Sequence, residues 1–417
     1  MNEIYKNIYK LSSGTAVAQA IPLLAYPFLT RIFSPEDFGT FATTILCSSL
    51  LGIFASGCYE HAILITKSKI DAANVIVLTL LRSCLILLVS FPVIWLLNNE
   101  LSIWFNDPEL ATSLYYAPLI ALGGIIYACH SEWLIKYKEY SFLARNRIFQ
   151  GVFLVASKIV IGLAFVSSQA LVIGELVGRF LSSIMSIMTI AKIDHKIFLK
   201  ISRPRISKLK KRFSQFPRVM VFDQFVNILG GSLHVLFIGT AFGPKELGYV
   251  ALLFSALYLP ITIVSSSIKD VFRQQASIEY SEYGSCRRLY LSLFKVIACF
   301  GLLVFTLGFF LSPELFPLVF GEDWRIVGEY AQIMMAMYYL NFVSMSLGGT
   351  LIFAEKIKVS LYWQILSIGL STVALYIGCY VVGDIVSCLV YLAIARSVSY
   401  LIYIFLSYYY SLDHSRL

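Results

Sequence analysis

The chain has 417 residues, of which 58% are hydrophobic and 14% charged, with a mean hydropathy of +0.77 and a formal net charge of +9. Ordinary soluble domains carry about 25% charged residues, so this composition excludes a soluble enzyme. The apolar character runs along the whole length, which excludes a soluble domain on a single anchor. The chain reads as an all-α polytopic membrane protein.

From the N-terminus, Lys6 and Lys10 precede a first apolar run. No small-residue cleavage site follows it, so the run is expected to stay as a first span. A span needs roughly 20 apolar residues, and twelve runs meet that length: 12–31, 40–58, 72–97, 113–135, 148–168, 170–190, 219–240, 247–268, 289–311, 328–353, 359–382 and 385–408. The eight cysteines form no CxxC pair, and Cys47, Cys58, Cys84, Cys129, Cys299, Cys379 and Cys388 fall within or beside these runs as small packing residues.

Orientation follows from Lys and Arg in the connections. The odd-numbered connections hold only Arg31, Lys245 and Arg325, while the termini and the even-numbered connections hold most of the rest. Both termini are therefore expected in the cytoplasm. The largest basic cluster, 192–218, links the two halves; beside anionic lipid it needs no nucleic acid to explain it.

Phe33-Ser34-Pro35-Glu36-Asp37-Phe38-Gly39 returns as Phe242-Gly243-Pro244-Lys245-Glu246-Leu247-Gly248. Each copy is a Pro/Gly corner between two apolar runs. This predicts two six-helix lobes, 1–205 and 206–417, related as parallel repeats with a central cavity between them.

The informative residues are charges inside spans. A cation at mid-span costs about 2.5–3.5 kcal/mol on insertion scales, and Arg82, Lys158, Arg179, Lys295 and Arg396 all fall there. Lys295 sits close enough to an end to snorkel. Arg82, Lys158 and Arg396 lie about ten residues in, roughly 15 Å, and are expected to face either a watery cavity or structural partners such as Glu132, Asp223 and helix carboxyl ends. Glu175 and Arg179 stand four apart and pair on one face, as a structural pair or a functional one. The excess of positive charge suits an anionic group such as a phosphate or pyrophosphate, with Arg82, Lys158, Arg179 and Arg396 as its candidate binding residues. Glu175, Asp223 and His234 are candidates to bind a coupling proton or sodium ion. Pro22, Pro27, Gly230 and Gly231 are helix breakers placed for gates or hinges.

Catalytic signatures are missing from the sequence. His61, His130, His195, His234 and His414 make no HExxH pattern, and there is no GxSxG elbow or P-loop. Neither an enzymatic activity, a metal nor a cofactor is expected. Trp104 and Trp324 read as membrane-interface anchors, with stacking on a sugar as the alternative.

Pro27-Phe28-Leu29-Thr30-Arg31-Ile32-Phe33-Ser34-Pro35-Glu36-Asp37-Phe38-Gly39, Tyr59-Glu60-His61-Ala62-Ile63-Leu64 and Phe320-Gly321-Glu322-Asp323-Trp324 with Gly328-Glu329-Tyr330 together resemble the Wzx-type O-antigen and polysaccharide flippases of the multidrug/oligosaccharidyl-lipid/polysaccharide exporter superfamily. That resemblance implies a carrier that moves an undecaprenyl-pyrophosphate-linked oligosaccharide across a bacterial inner membrane, in association with a polysaccharide polymerase and chain-length machinery. Its motifs do not assign roles to the intramembrane cations. A drug/cation antiporter of related fold remains open, though its cavity should be lined by carboxylates. A membrane polymerase or acyltransferase remains open too, but would call for a long outward loop.

Overall fold

The computed structural model describes residues 2–198, 200–354 and 356–411; His414 lies outside them. Among the described residues every regular element is helical, as expected where each backbone group must find its partner within its own segment. The first six long helices are α1 (Asn2–Ile32), α2 (Pro35–Ser56), α3 (Lys69–Trp104), α4 (Ala117–Lys136), α5 (Tyr140–Ala164) and α6 (Ser168–Phe198). The helical run Val221–Tyr283 breaks at Gly243, where φ is 80° and ψ −174°, and so divides into α7 (221–242) and α8 (244–283). Then follow α9 (Arg287–Phe320), α10 (Arg325–Ser346), α11 (Ile357–Tyr376) and α12 (Ile385–Tyr410). Each falls on one predicted apolar run.

Nine helical stretches among the described residues are long and apolar enough to cross a membrane; one of them, Phe216–Ala276, contains the α7–α8 corner. The chain is a multi-pass membrane protein. Its outer surface agrees: α9 exposes Val296, Phe300, Leu303, Leu307 and Phe310, a surface that would aggregate in water and that acyl chains cover.

The chain forms two compact units, Met1–Gly248 and Tyr249–Leu417. The sequence placed a lobe boundary at 205/206, earlier than this division. The difference has a physical cause, since α7 packs into the first unit. Phe225 meets Phe54 of α2 at 5.6 Å between ring centroids, and Gly239 leaves room for the Phe105 ring.

Within the first unit the two repeated corners touch reciprocally. Ser34 and Asp37 form a capping box that starts α2, with Pro35 in its first turn. A methyl group at Gly39 would run into the Pro244 carbonyl, and one at Gly248 would run into the Pro35 carbonyl. Pro35 corresponds to Pro244 and Gly39 to Gly248 in the repeat, so each copy presents its proline carbonyl to the glycine of the other. The basic linker also docks on this unit. Its helix Arg203–Arg212 and the residue after it bury Leu209 and Phe213, and Arg205 Nε lies 2.8 Å from Asp71 Oδ1.

Helix α1 runs through Pro22 and Pro27 without a break. Pro22 has no N–H for the carbonyl of Ala18. Gly151 of α5 packs beside that carbonyl, where a Cβ would come to 3.1 Å. In α7 the helical geometry fails at Ser232 (φ −111°, ψ 15°), next to the Gly230-Gly231 pair singled out in the sequence.

In the second unit the corner before α10 turns at Gly321 (φ 105°) and closes over Trp324. Trp324 is 1% exposed and its ring meets Tyr249 at 5.8 Å, so it is a core residue of the corner and not the interface anchor expected from sequence. Trp104, by contrast, is 61% exposed.

Candidate functional site

The sixth apolar run carries Gly174-Glu175-Leu176-Val177-Gly178, a small-xxx-small pattern that lets two helix backbones approach closely. A Cβ at Gly174 would stand 2.7 Å from Lys158 Cα, and one at Gly178 would stand 2.7 Å from Leu154 Cα. α6 thus lies directly on α5, and Ser157 Oγ donates to the Gly174 carbonyl at 2.7 Å. Between the two glycines Glu175 reaches both cations. Its Oε2 is 2.7 Å from Lys158 Nζ, and its Oε1 is 2.6 Å from Arg179 Nε. On the other side Gly123 and Gly124 of α4 make room for Arg179; a Cβ at Gly124 would come 2.8 Å from a terminal guanidinium nitrogen. Lys158 Nζ also sits over the Phe41 ring at 4.5 Å.

This three-residue cluster holds two cations and one carboxylate, so a single positive charge remains. Its members are unequally covered: side-chain exposure is 6% for Glu175, 14% for Lys158 and 27% for Arg179. The carboxylate is the sealed centre and Arg179 is the accessible edge. Arg179 gives its Nε to Glu175 and has two further terminal nitrogens, the fork suited to phosphate oxygens.

Depth differs from the sequence estimate for one member. α5 starts at Tyr140 and ends at Ala164, earlier at both ends than the predicted 148–168. Lys158 is therefore six residues from the end of its helix, about 9 Å at 1.5 Å per residue. The charged side chains of the 140–147 stretch made hydropathy start the span too late.

The other sequence candidates lie elsewhere. Arg82 donates from Nε to the Ala55 carbonyl at 3.2 Å and from a terminal nitrogen to the Phe54 carbonyl at 3.0 Å. These are the last carbonyls of α2, where a cation complements the helix dipole. Gly57, at φ 62°, turns the chain beneath this guanidinium. Arg396 belongs to the second unit, near Tyr258 and Tyr338. Asp223 and Asn227 are exposed on α7, His234 is half-buried one segment further along, and Lys295 is exposed on α9. His61, with Glu132 as partner at 3.0 Å, stands at the opposite end of α2 from the corner. Its pKa is raised, chiefly by the hydrogen bond to Glu132. Among the described residues no group of three or more His, Cys, Asp or Glu could hold a metal ion.

Sequence reasoning weighed Glu175–Arg179 as a pair and missed that Lys158 completes it. The small-xxx-small spacing was the available signal, because close helices bring their polar residues within reach. It also missed Lys269 and Arg273, which lie on α8 beyond the predicted span and line a cavity in the second unit.

The profile described as "Polysaccharide biosynthesis protein" matches residues 28–329. The chain belongs to the polysaccharide biosynthesis protein family. No curated protein matches it. Among solved structures, this polysaccharide biosynthesis protein is similar to the lipid II flippase MurJ in an inward closed conformation, with TM-score 0.70 and 14% identity over 95% of this chain and 87% of that one. A MOP superfamily transporter from Pyrococcus furiosus matches with TM-score 0.63 and 16% identity over 96% and 94%. An outward-facing multidrug resistance MATE family transporter matches with TM-score 0.60 and 15% identity over 96% and 94%. At these identities the likeness shows a shared all-helical fold.

Proposed function

We propose that this protein is a flippase that carries a polyprenyl-pyrophosphate-linked oligosaccharide, an O-antigen or capsule repeat unit, from the inner to the outer leaflet of a bacterial cytoplasmic membrane by alternating access. The observation that carries the reading is the Lys158–Glu175–Arg179 cluster. It is a net-positive group inside the helix bundle of a chain of the polysaccharide biosynthesis family. A pyrophosphate competes with Glu175 for the cations, taking first the terminal nitrogens of Arg179. When the headgroup leaves, Glu175 recovers both partners, so binding stays reversible. A drug/cation antiporter needs the opposite balance, with carboxylates in excess.

Arg82 and Arg396 are further binding candidates, and Pro22, Pro27, Gly230 and Gly231 are candidates for the bending points. A proton or sodium gradient resets the carrier through Glu175, Asp223 or His234. Both termini face the cytoplasm, and the product is passed to a polymerase with its chain-length machinery.

The test is a deletion strain lacking this protein and any redundant carrier, assayed for lipid-linked glycan on each leaflet. The expected result is accumulation on the inner leaflet in the deletion strain, with arrival on the outer leaflet restored by the wild type and restored less well by Arg179→Gln. Normal arrival of the glycolipid on the outer leaflet in the deletion strain sinks the reading.

A further inference from the structure

The second unit holds a cavity of about 350 Å³ that the cation cluster of the first unit does not use. One wall is α8, which presents Lys269 and Arg273, four apart and therefore on one face. The facing backbone is built for these two stems. After α10 the chain turns through Gly348 and Gly349, the latter at φ +113°. A Cβ at Gly349 would stand 3.1 Å from Arg273 Cγ, and one at Gly348 would stand 3.4 Å from Lys269 Cδ. Glycine at both positions lets the side chains of Lys269 and Arg273 cross close to the backbone.

The opposite walls are polar and aromatic and are themselves held. Asn341 Nδ2 donates to Tyr400 Oη at 2.7 Å. Trp363 Nε1 donates to the Ser399 carbonyl at 2.7 Å, which fixes its ring 4.5 Å from that of Tyr403. Among the described residues lining the cavity there is no carboxylate. Two cations on one helix face, hydrogen-bonding groups and aromatic faces in a space large enough for a small ligand match an anion that carries a polar group.

We infer that this cavity is a second anion site, distinct from the Lys158–Glu175–Arg179 cluster, which binds a phosphate or pyrophosphate group through Lys269 and Arg273. The group comes either from a lipid headgroup or from a soluble phosphate. The site stands on the geometry of the second unit alone and does not depend on the flippase reading.

The test uses the purified full-length protein in nanodiscs. One arm measures binding of radiolabelled inorganic pyrophosphate in phosphatidylcholine discs, in an Arg179→Gln background that removes the exposed cation of the first-unit cluster. The other arm titrates phosphatidylglycerol into the discs and reads retention of that lipid by native mass spectrometry. Adding Lys269→Gln and Arg273→Gln together is expected to weaken binding by about tenfold or more, the loss of at least one charge-assisted hydrogen bond. Lys269→Arg with Arg273→Lys, which keeps both charges, is expected to retain it. Loss in the pyrophosphate arm assigns a soluble anion; loss confined to the lipid arm assigns a headgroup. If the double Gln variant does not fold, Lys269→Gln and Arg273→Gln are measured singly, each expected to weaken binding at least threefold. Equal binding in wild type and variants, or no binding in either arm, overturns the inference.

Discussion

Adding a single methyl group at Gly174 or Gly178 is expected to pry α6 from α5 and loosen the cation cluster with it. The new Cβ would lie 2.7 Å from Lys158 Cα in the first case and 2.7 Å from Leu154 Cα in the second. Carbon atoms settle at about 3.5–4.0 Å, so the backbones must part by about 0.8–1.3 Å. Neither obstacle is the end of a flexible side chain, so rotamer changes give no relief. Overpacking of this kind costs about 1–3 kcal/mol, at roughly 2–4 °C of Tm per kcal/mol for a cooperative unit the size of Met1–Gly248. Because one separation accommodates both methyl groups, Gly174→Ala and Gly178→Ala together should cost clearly less than the sum of the single variants. Gly174→Ala should in addition impair the proposed glycolipid transport more than Gly178→Ala does, since it displaces the backbone that carries Lys158. Thermal unfolding in detergent, followed by tryptophan fluorescence, measures the first effect. Unchanged Tm in both single variants, or strict additivity in the double, would refute the account of α5 and α6 as a backbone-to-backbone contact.

Glu175→Gln should destabilise by up to about 3 kcal/mol, toward the low end for breaking a buried ion pair, because it leaves Lys158 and the more exposed Arg179 without their shared carboxylate; Arg179→Gln should cost less, since Lys158 and Glu175 remain paired, and equal costs in the same unfolding assay would contradict the shared-carboxylate geometry. Gly39→Ala and Gly248→Ala should each lower Tm by a similar amount, and the double variant by less than their sum, as the two methyl groups open one reciprocal corner contact. For His61, the partner Glu132 raises the folded-state pKa above the ordinary 6.5, so its stabilising contribution is full below pH 6.5 and is lost as pH rises through that higher value. The Tm difference between wild type and His61→Ala should accordingly shrink on raising the pH from 6.5, and a difference that grows would reverse the sign of the argument.

The sequence by itself determined the long helices of the described residues, their order and the all-helical membrane class. Hydropathy over about 20 residues is a local quantity, and in lipid a backbone can satisfy itself only within its own helix. It also marked Glu175 with Arg179, because a spacing of four is a property of one helix. Tertiary structure alone decided that Lys158 is the third member of that cluster, that Arg82 is held by the carbonyl end of α2, and that Trp324 is buried in its corner. It likewise joined Lys269 and Arg273 to the glycine turn and the Trp363–Tyr403 wall. Each of these depends on which helix faces lie together, and hydropathy, averaged over every face of a helix, carries no record of the neighbour it meets.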